Sequence, residues 1–101
     1  MKHGKGWLFS QPDTQGGDRT RMTVWASFDG AKTWPVKRLV YEGPSAYSSL
    51  AAGRPGTPSE GMIYLLFEGG DEGRYSAIQI ARFNLAWVLD GDLTGDGQLP
   101  E

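Results

Sequence analysis

Hydrophobic and polar positions alternate along this chain in short runs cut by Gly, Pro and Asp. Residues 7–10, Trp-Leu-Phe-Ser, form a brief apolar strand stopped by Gln11-Pro12-Asp13 and by a loop over residues 14–18 with two consecutive Gly. Residues 21–28 alternate with a period near two and are rich in β-branched and aromatic side chains, the pattern of a half-buried strand. Asp29-Gly30 signals a turn, after which residues 36–41 pair back as the second arm of an antiparallel hairpin, ended by Glu42-Gly43-Pro44. Residues 46–52 give a further strand, and residues 53–61, with two Pro and three Gly, a loop. Residues 62–67 are apolar enough for a strand covered on both faces, and residues 75–83 alternate as another after a turn over 69–74. Only residues 84–89 look helical, with Asn84 as N-cap, and residues 1–6 show no period. Turn signals every 8–12 residues or so predict an all-β sandwich, barrel or propeller piece.

Composition narrows the chemistry. The 101 residues have room for one small domain, and 12 acidic against 10 basic side chains give a net charge of −2, with no dense Lys/Arg stripe. Nucleic acid and anionic membrane are therefore not expected as partners. The longest apolar run, residues 62–67, is too short for a membrane-spanning helix or the apolar core of a signal peptide, so targeting information, if any, lies elsewhere. With no Cys and a single His, His3, the sequence offers no disulfide, no thiolate metal site and no catalytic His pair. Fifteen Gly and six Pro are too many for a helical bundle, while four each of Trp, Tyr and Phe supply what a disordered chain lacks.

Residues 27–34, Ser-Phe-Asp-Gly-Ala-Lys-Thr-Trp, resemble the Asp-box, or BNR repeat, the Ser-x-Asp-x-Gly-x-Thr-Trp hairpin of sialidases and other β-propellers. A short Asp29 carboxylate can fold back onto backbone N–H groups, Ser27 and Thr33 can support it, and Trp34 can cover the apolar side. Ala31 stands where the motif has Gly, and at positive φ it costs about 1–2 kcal/mol unless Gly30 carries the turn instead. The flanks extend the likeness. Residues 8–12, Arg19, Met22-Thr23-Val24, residues 34–36, residues 43–50, residues 63–68 and residues 78–88 together resemble the C-terminal third of an exo-α-sialidase, in that family's order, over residues 6–89.

That resemblance implies an all-β fold, antiparallel strands forming the last one to two blades of a six-bladed propeller, with a short C-terminal helical turn. It implies a retaining glycoside hydrolase that releases terminal sialic acid from sialylated glycoconjugates through a Tyr nucleophile, since a phenol deprotonated only as it attacks avoids repulsion by the substrate's carboxylate. Tyr47 matches this nucleophile. Arg19, 28 residues earlier, matches the last member of an arginine triad that grips the carboxylate, with Arg21 as its rival. Glu68 matches a carboxylate that braces a triad arginine. The other triad arginines, the Glu paired with the nucleophile and the Asp general acid/base lie upstream in the family, so the resemblance implies a partial propeller without hydrolysis of its own. Its uncovered strands would favour self-association. The parent is expected to be secreted or periplasmic.

Residues 1–5 read as a tail and residues 90–101 as an acidic linker or the start of a dockerin-like repeat. With Asp92 as position one, Asp92, Thr94 and Asp96 fall at positions one, three and five of an EF-hand-like calcium loop, with Gly97 at six and Leu99 at eight. The chain reaches only position ten, short of the acid expected at twelve. A solvated linker is the plainer alternative. No cofactor is required by the sialidase reading. A different class of function, a non-catalytic Asp-box module that binds glycans or proteins, would leave Arg19 and Tyr47 dispensable.

Overall fold

A computed structural model describes residues 1–3, 6–14, 19–73 and 75–99. Its elements in chain order are β1 (Lys2–His3), β2 (Gly6–Pro12), β3 (Thr20–Ser27), β4 (Val36–Ala52), β5 (Met62–Gly69), β6 (Ile78–Asn84), α1 (Leu85–Leu89) and β7 (Asp92–Leu93). The fold is all-β and antiparallel, as expected, with one short helix. The strands follow the order β1-β2-β3-β4-β5-β6, and β7 adds to β4. The expected loop over residues 14–18 lies, from residue 15 on, outside the described residues, as does Arg74 of the expected 69–74 turn.

Strand β4 is where the sequence reading is corrected most. Residues 36–41 and 46–52, expected as separate strands broken at Glu42-Gly43-Pro44, form one element of 17 residues. Proline can sit here because β4 changes partner at this point. The first half pairs with β3, from Ala26↔Val36 to Met22↔Tyr41, and the second with β5, from Ser48↔Phe67 to Ala52↔Ile63. Register shifts fall on both sides of the change, between Thr20 and Thr23 on β3 and between Ser45 and Ser48 on β4. Such bulges raise the local twist and bend the strand, curling the sheet until its two halves face each other.

Between those halves lies one core: Leu8, Met22, Val24, Ala26, Ile63, Leu65, Phe67, Phe83 and Val88. Each large aliphatic member contributes roughly 1.5–3 kcal/mol by leaving water. The expected burial of two strands is exchanged. β3, read as half-buried, is covered on both faces from Met22 to Ser27, because it is central and Phe9 lies 6.5 Å from the Trp25 ring on its outer side. β5, read as covered on both faces, buries one alternate set, Ile63, Leu65, Phe67 and Gly69. Its other face carries Leu66, and β6 beside it carries Ile78 and Ile80, each 70% exposed.

Both chain ends are tied to the sheet. Met1 exchanges backbone hydrogen bonds with Leu8, and Lys2 and His3 pair with Trp7 and Gly6, so part of the expected tail is strand. Helix α1 begins as expected, Asn84 Oδ1 accepting the Trp87 N–H at 2.9 Å. It seats Val88 in the core and Trp87 under the Arg38 guanidinium, 4.4 Å from ring centroid to Cζ. With five residues, α1 is far too short to cross a membrane, and no other described helix does so.

The one-sided burial of β5 has a direct test. Leu65→Ala should cost about 2–5 kcal/mol in urea unfolding, whereas Leu66→Ala, one residue on, should cost less than about 1 kcal/mol. Equal losses at the two positions would overturn the assignment of faces.

Candidate functional site

The chain places its chemistry-bearing residues at opposite ends of β3. At the C-terminal end, residues 27–34 close on the Asp29 carboxylate. Its Oδ1 accepts from Ser27 Oγ at 2.9 Å, Lys32 N at 3.1 Å and Thr33 N at 2.9 Å, and its Oδ2 from Thr33 Oγ1 at 2.6 Å. Ser27 Oγ in turn accepts from Ala31 N. The Thr33 hydroxyl above all, then the Thr33 N–H, hold the Asp29 carboxyl down from its usual 3.8 to about 2. Gly30 and Ala31 are both at positive φ, 76° and 69°, so the turn needs two left-handed residues and Ala31 bears the expected strain. Trp34 packs on Phe9, 6.0 Å between ring centroids. All of Asp29's bonds are internal to the turn, which identifies it as a scaffold element in this structure.

The tail runs beside this turn. Asp92 and Leu93 pair with Lys37 and Val36, Thr94 Oγ1 donates to the Trp34 carbonyl at 2.7 Å, and the Trp34 N–H donates to the Gly97 carbonyl at 2.8 Å. Gly91 fits where a Cβ would strike the Lys37 carbonyl. The three oxygen-bearing residues considered for calcium are therefore partly committed. The Thr94 hydroxyl also accepts from Gly97 N, and Asp96 Oδ1 accepts from Gln98 N. Among the described residues no group of three or more His, Cys, Asp or Glu side chains is placed to hold a metal ion. Pro100 and Glu101, positions nine and ten of the considered loop, lie outside the described residues.

At the other end of β3, Arg19 and Tyr47 meet. The Arg19 Cζ lies 5.3 Å from the Tyr47 ring centroid, a cation–π contact, and Arg19 Nη2 donates to the Tyr75 hydroxyl at 2.8 Å. Tyr47 is 69% exposed, turned outward where the pairing of β4 slips between Ser45 and Ser48, directly after buried Ser45 and Ala46. Arg21 goes elsewhere. Its φ of 64° marks the bulge of β3, its carbonyl accepts from Asp13 N and Thr23 Oγ1, and its guanidinium lies 3.9 Å from exposed Glu42, a pair worth little. The bulge thus sends Arg19 and its rival Arg21 to different partners.

Glu68 joins the same region by a different route. With Tyr47, Ser49, Leu66 and Ile78 it lines an open cavity of about 200 Å³ on the uncovered face of β5 and β6. Arg19 bonds to Tyr75 and not to Glu68. Tyr75 is the residue that sequence reading missed. The alternation of residues 75–83 puts it at the start of a strand, yet it belongs to the turn before β6, and its partner lies 56 residues away. The Gly-rich approach over residues 69–73 is the only local signal that could have put it in a loop.

Tyr47 thus lines an open, partly apolar cavity while Arg19 lies against its ring, and such a guanidinium and phenol together can receive an anionic, hydroxylated ligand. Over 81 residues, 80% of its length, the chain is 38% identical to a sialidase of Micromonospora viridifaciens. It is also 39% identical over 64 residues to mouse sialidase-4 and 37% identical over 60 residues to human sialidase-4. Over this stretch the chain belongs to the sialidase family. It spans only 11–13% of the length of these curated relatives. No family model and no solved structure matches it.

The Asp29 turn yields a pH prediction. A carboxylate held down in the folded chain contributes stability that is complete above its unfolded value and is lost as pH falls through the folded one. Between pH 4 and 2, the melting temperature of the natural chain should therefore fall more than that of Asp29→Asn, while above pH 5 the natural chain should melt higher. Parallel curves for the two would remove Asp29 from the account.

Proposed function

We propose that this chain is part of an exo-α-sialidase and supplies two of its working groups, Tyr47 as nucleophile and Arg19 as one of the arginines that grip the substrate carboxylate. The observation that carries this reading is the Arg19 guanidinium lying over the Tyr47 ring, 5.3 Å away and at the same end of the sheet. A carboxylate bound to the guanidinium fork through two parallel hydrogen bonds brings the attached anomeric carbon close to the phenol. The Tyr47 oxygen then attacks that carbon as its proton passes to a base, the glycosidic bond breaks, and the aglycone leaves as an alcohol protonated by a general acid. Water, giving its proton back to that group, later displaces Tyr47 and releases the sugar with retained configuration. Glu68, at the edge of the same cavity, is assigned the bracing of a further arginine from outside this chain. The substrate is a sialylated glycoconjugate, and residues 27–34 serve as an Asp-box that stiffens the hairpin.

Hydrolysis depends on groups acting as a unit, and this chain carries only some of those the reading requires. The purified chain should show no turnover of an aryl sialoside. In a full-length sialidase carrying this sequence, Tyr47→Phe should lower kcat by at least about a hundredfold, the scale of losing the covalent route. Wild-type turnover there would instead favour the second reading, a binding module in which the Asp29 turn matters and Tyr47 does not. That alternative draws support from the turn itself, whose bonds close on one another without reaching Arg19 or Tyr47.

We further propose that the isolated chain self-associates through the open side of β6. Ile78 and Ile80 are exposed there, no described strand pairs with the outer edge, and the strand has neither Pro nor an inward charge to blunt it. Light scattering across a concentration series should show a mass rising above that of one chain, and Ile80→Lys should return it to monomer. A monomer at every concentration would end this proposal.

A further inference from the structure

We infer that Tyr75 is a positioning residue for Arg19, holding the guanidinium over Tyr47 with part of its fork presented to a ligand carboxylate; the inference rests on the sialidase reading above. An exposed Arg side chain carries about 2 kcal/mol of rotamer entropy and would otherwise sample many directions. Two contacts restrain this one: the Tyr47 ring on one face and the Tyr75 hydroxyl, which accepts from Nη2 at 2.8 Å. One N–H is used by Tyr75, and the planar fork has five, so donors remain for two parallel bonds to a carboxylate. A ligand that meets a pre-set fork loses less entropy on binding.

Tyr75 can act this way because its turn is fixed to the same short segment of β4 that carries Tyr47. The Gly70 N–H donates to the Pro44 carbonyl at 3.1 Å, and the Ser45 N–H donates to the Arg19 carbonyl at 3.1 Å. Arg19, Tyr47 and the Tyr75 turn are thus all tied to Pro44-Ser45 through the backbone. The turn is also closed internally. Ser76 gives both its N–H, at 3.1 Å, and its hydroxyl, at 2.8 Å, to the Gly73 carbonyl, and Gly69 N donates to Ala77 O at 2.9 Å. A Cβ at Gly70 would run into Ser76 Oγ, so a larger residue there would push that hydroxyl off the Gly73 carbonyl. Tyr41 completes the anchorage, donating its hydroxyl to Asp71 Oδ1 at 2.9 Å. The hydrogen bond to Asp71 raises the Tyr41 pKa above its ordinary value, so the phenol stays protonated and the anchor persists through neutral pH.

The test titrates the chain with N-acetylneuraminic acid and follows amide and side-chain shifts by NMR in four forms: natural, Tyr75→Phe, Arg19→Lys and the double variant. Tyr75→Phe keeps the ring and should melt with the natural chain, since Tyr75 is 57% exposed. It should raise Kd by about two- to tenfold, the scale of the net contribution of one ordinary hydrogen bond. In the Arg19→Lys background the same change should add nothing, an interaction that a merely structural Tyr75 would not produce. Without ligand, the Arg19 Nη signals, resolved while one N–H is held, should average in Tyr75→Phe. An unchanged Kd in Tyr75→Phe, or an equal loss in both backgrounds, overturns the positioning role and leaves the sialidase reading standing. Natural affinity in Arg19→Lys, or no saturable binding by the natural chain, overturns the Arg19 assignment and this inference with it.

Discussion

The structure depends on one strand that changes partner midway. β4 hydrogen-bonds to β3 along its first half and to β5 along its second, and the crossover falls at Glu42–Ser48. A regular strand of this length would continue as a gently twisted ribbon and leave both sheet halves exposed. With bulges on both sides of the change, the two halves fold toward each other and Leu8, Val24, Ile63 and Leu65 meet in a common core. At the same irregularity the alternation breaks, burying the consecutive Ser45 and Ala46 and leaving Tyr47 exposed. Burial of the core and exposure of the phenol are two results of a single geometric break.

Charge is arranged in keeping with this division. Asp29, at the far end of β3, receives four hydrogen bonds and is fully occupied inside its own turn. Arg19, at the near end, is engaged by one hydroxyl and one ring, neither of which neutralises it. Arg38 and Lys37 lie on β4 between them. Arg38 is taken up by Trp87 and the carbonyls of Trp87 and Asp90, and Lys37 by Asp13 at 2.8 Å. Of these three cations, Arg19 is the one whose contacts among the described residues are a phenol hydroxyl and an aromatic ring, with no carboxylate or carbonyl.

How much was legible beforehand differs by level. Strand positions followed from period-two alternation, and Asn84 marked the helix start because a side-chain cap is a local device. The continuity of β4 was hidden, since Gly43-Pro44 reads as a stop wherever one assumes that a strand keeps the same neighbours. Burial was misread for β3 and β5 because alternation reports the face a strand offers and not which faces are eventually covered; Trp25 is buried by Phe9, and Leu66 has no cover among the described residues. For the site, Arg19, Tyr47 and Glu68 came from resemblance, not from spacing. Tyr75 lay beyond both kinds of reading, for its meeting with Arg19 is set by a turn docking on Pro44.

The sheet is built almost entirely from strands adjacent in the sequence, β1 through β6, and the exception is β7, which returns to Val36 and Lys37 after more than 50 residues. Assembly can therefore proceed hairpin by hairpin with little loop entropy at each step, and the tail closes last, over a turn already formed. A force applied at the two termini would meet these connections in reverse. The two-residue strands β1 and β7, at the ends of the sheet's connections, would yield before the seven-pair register of β5 against β6.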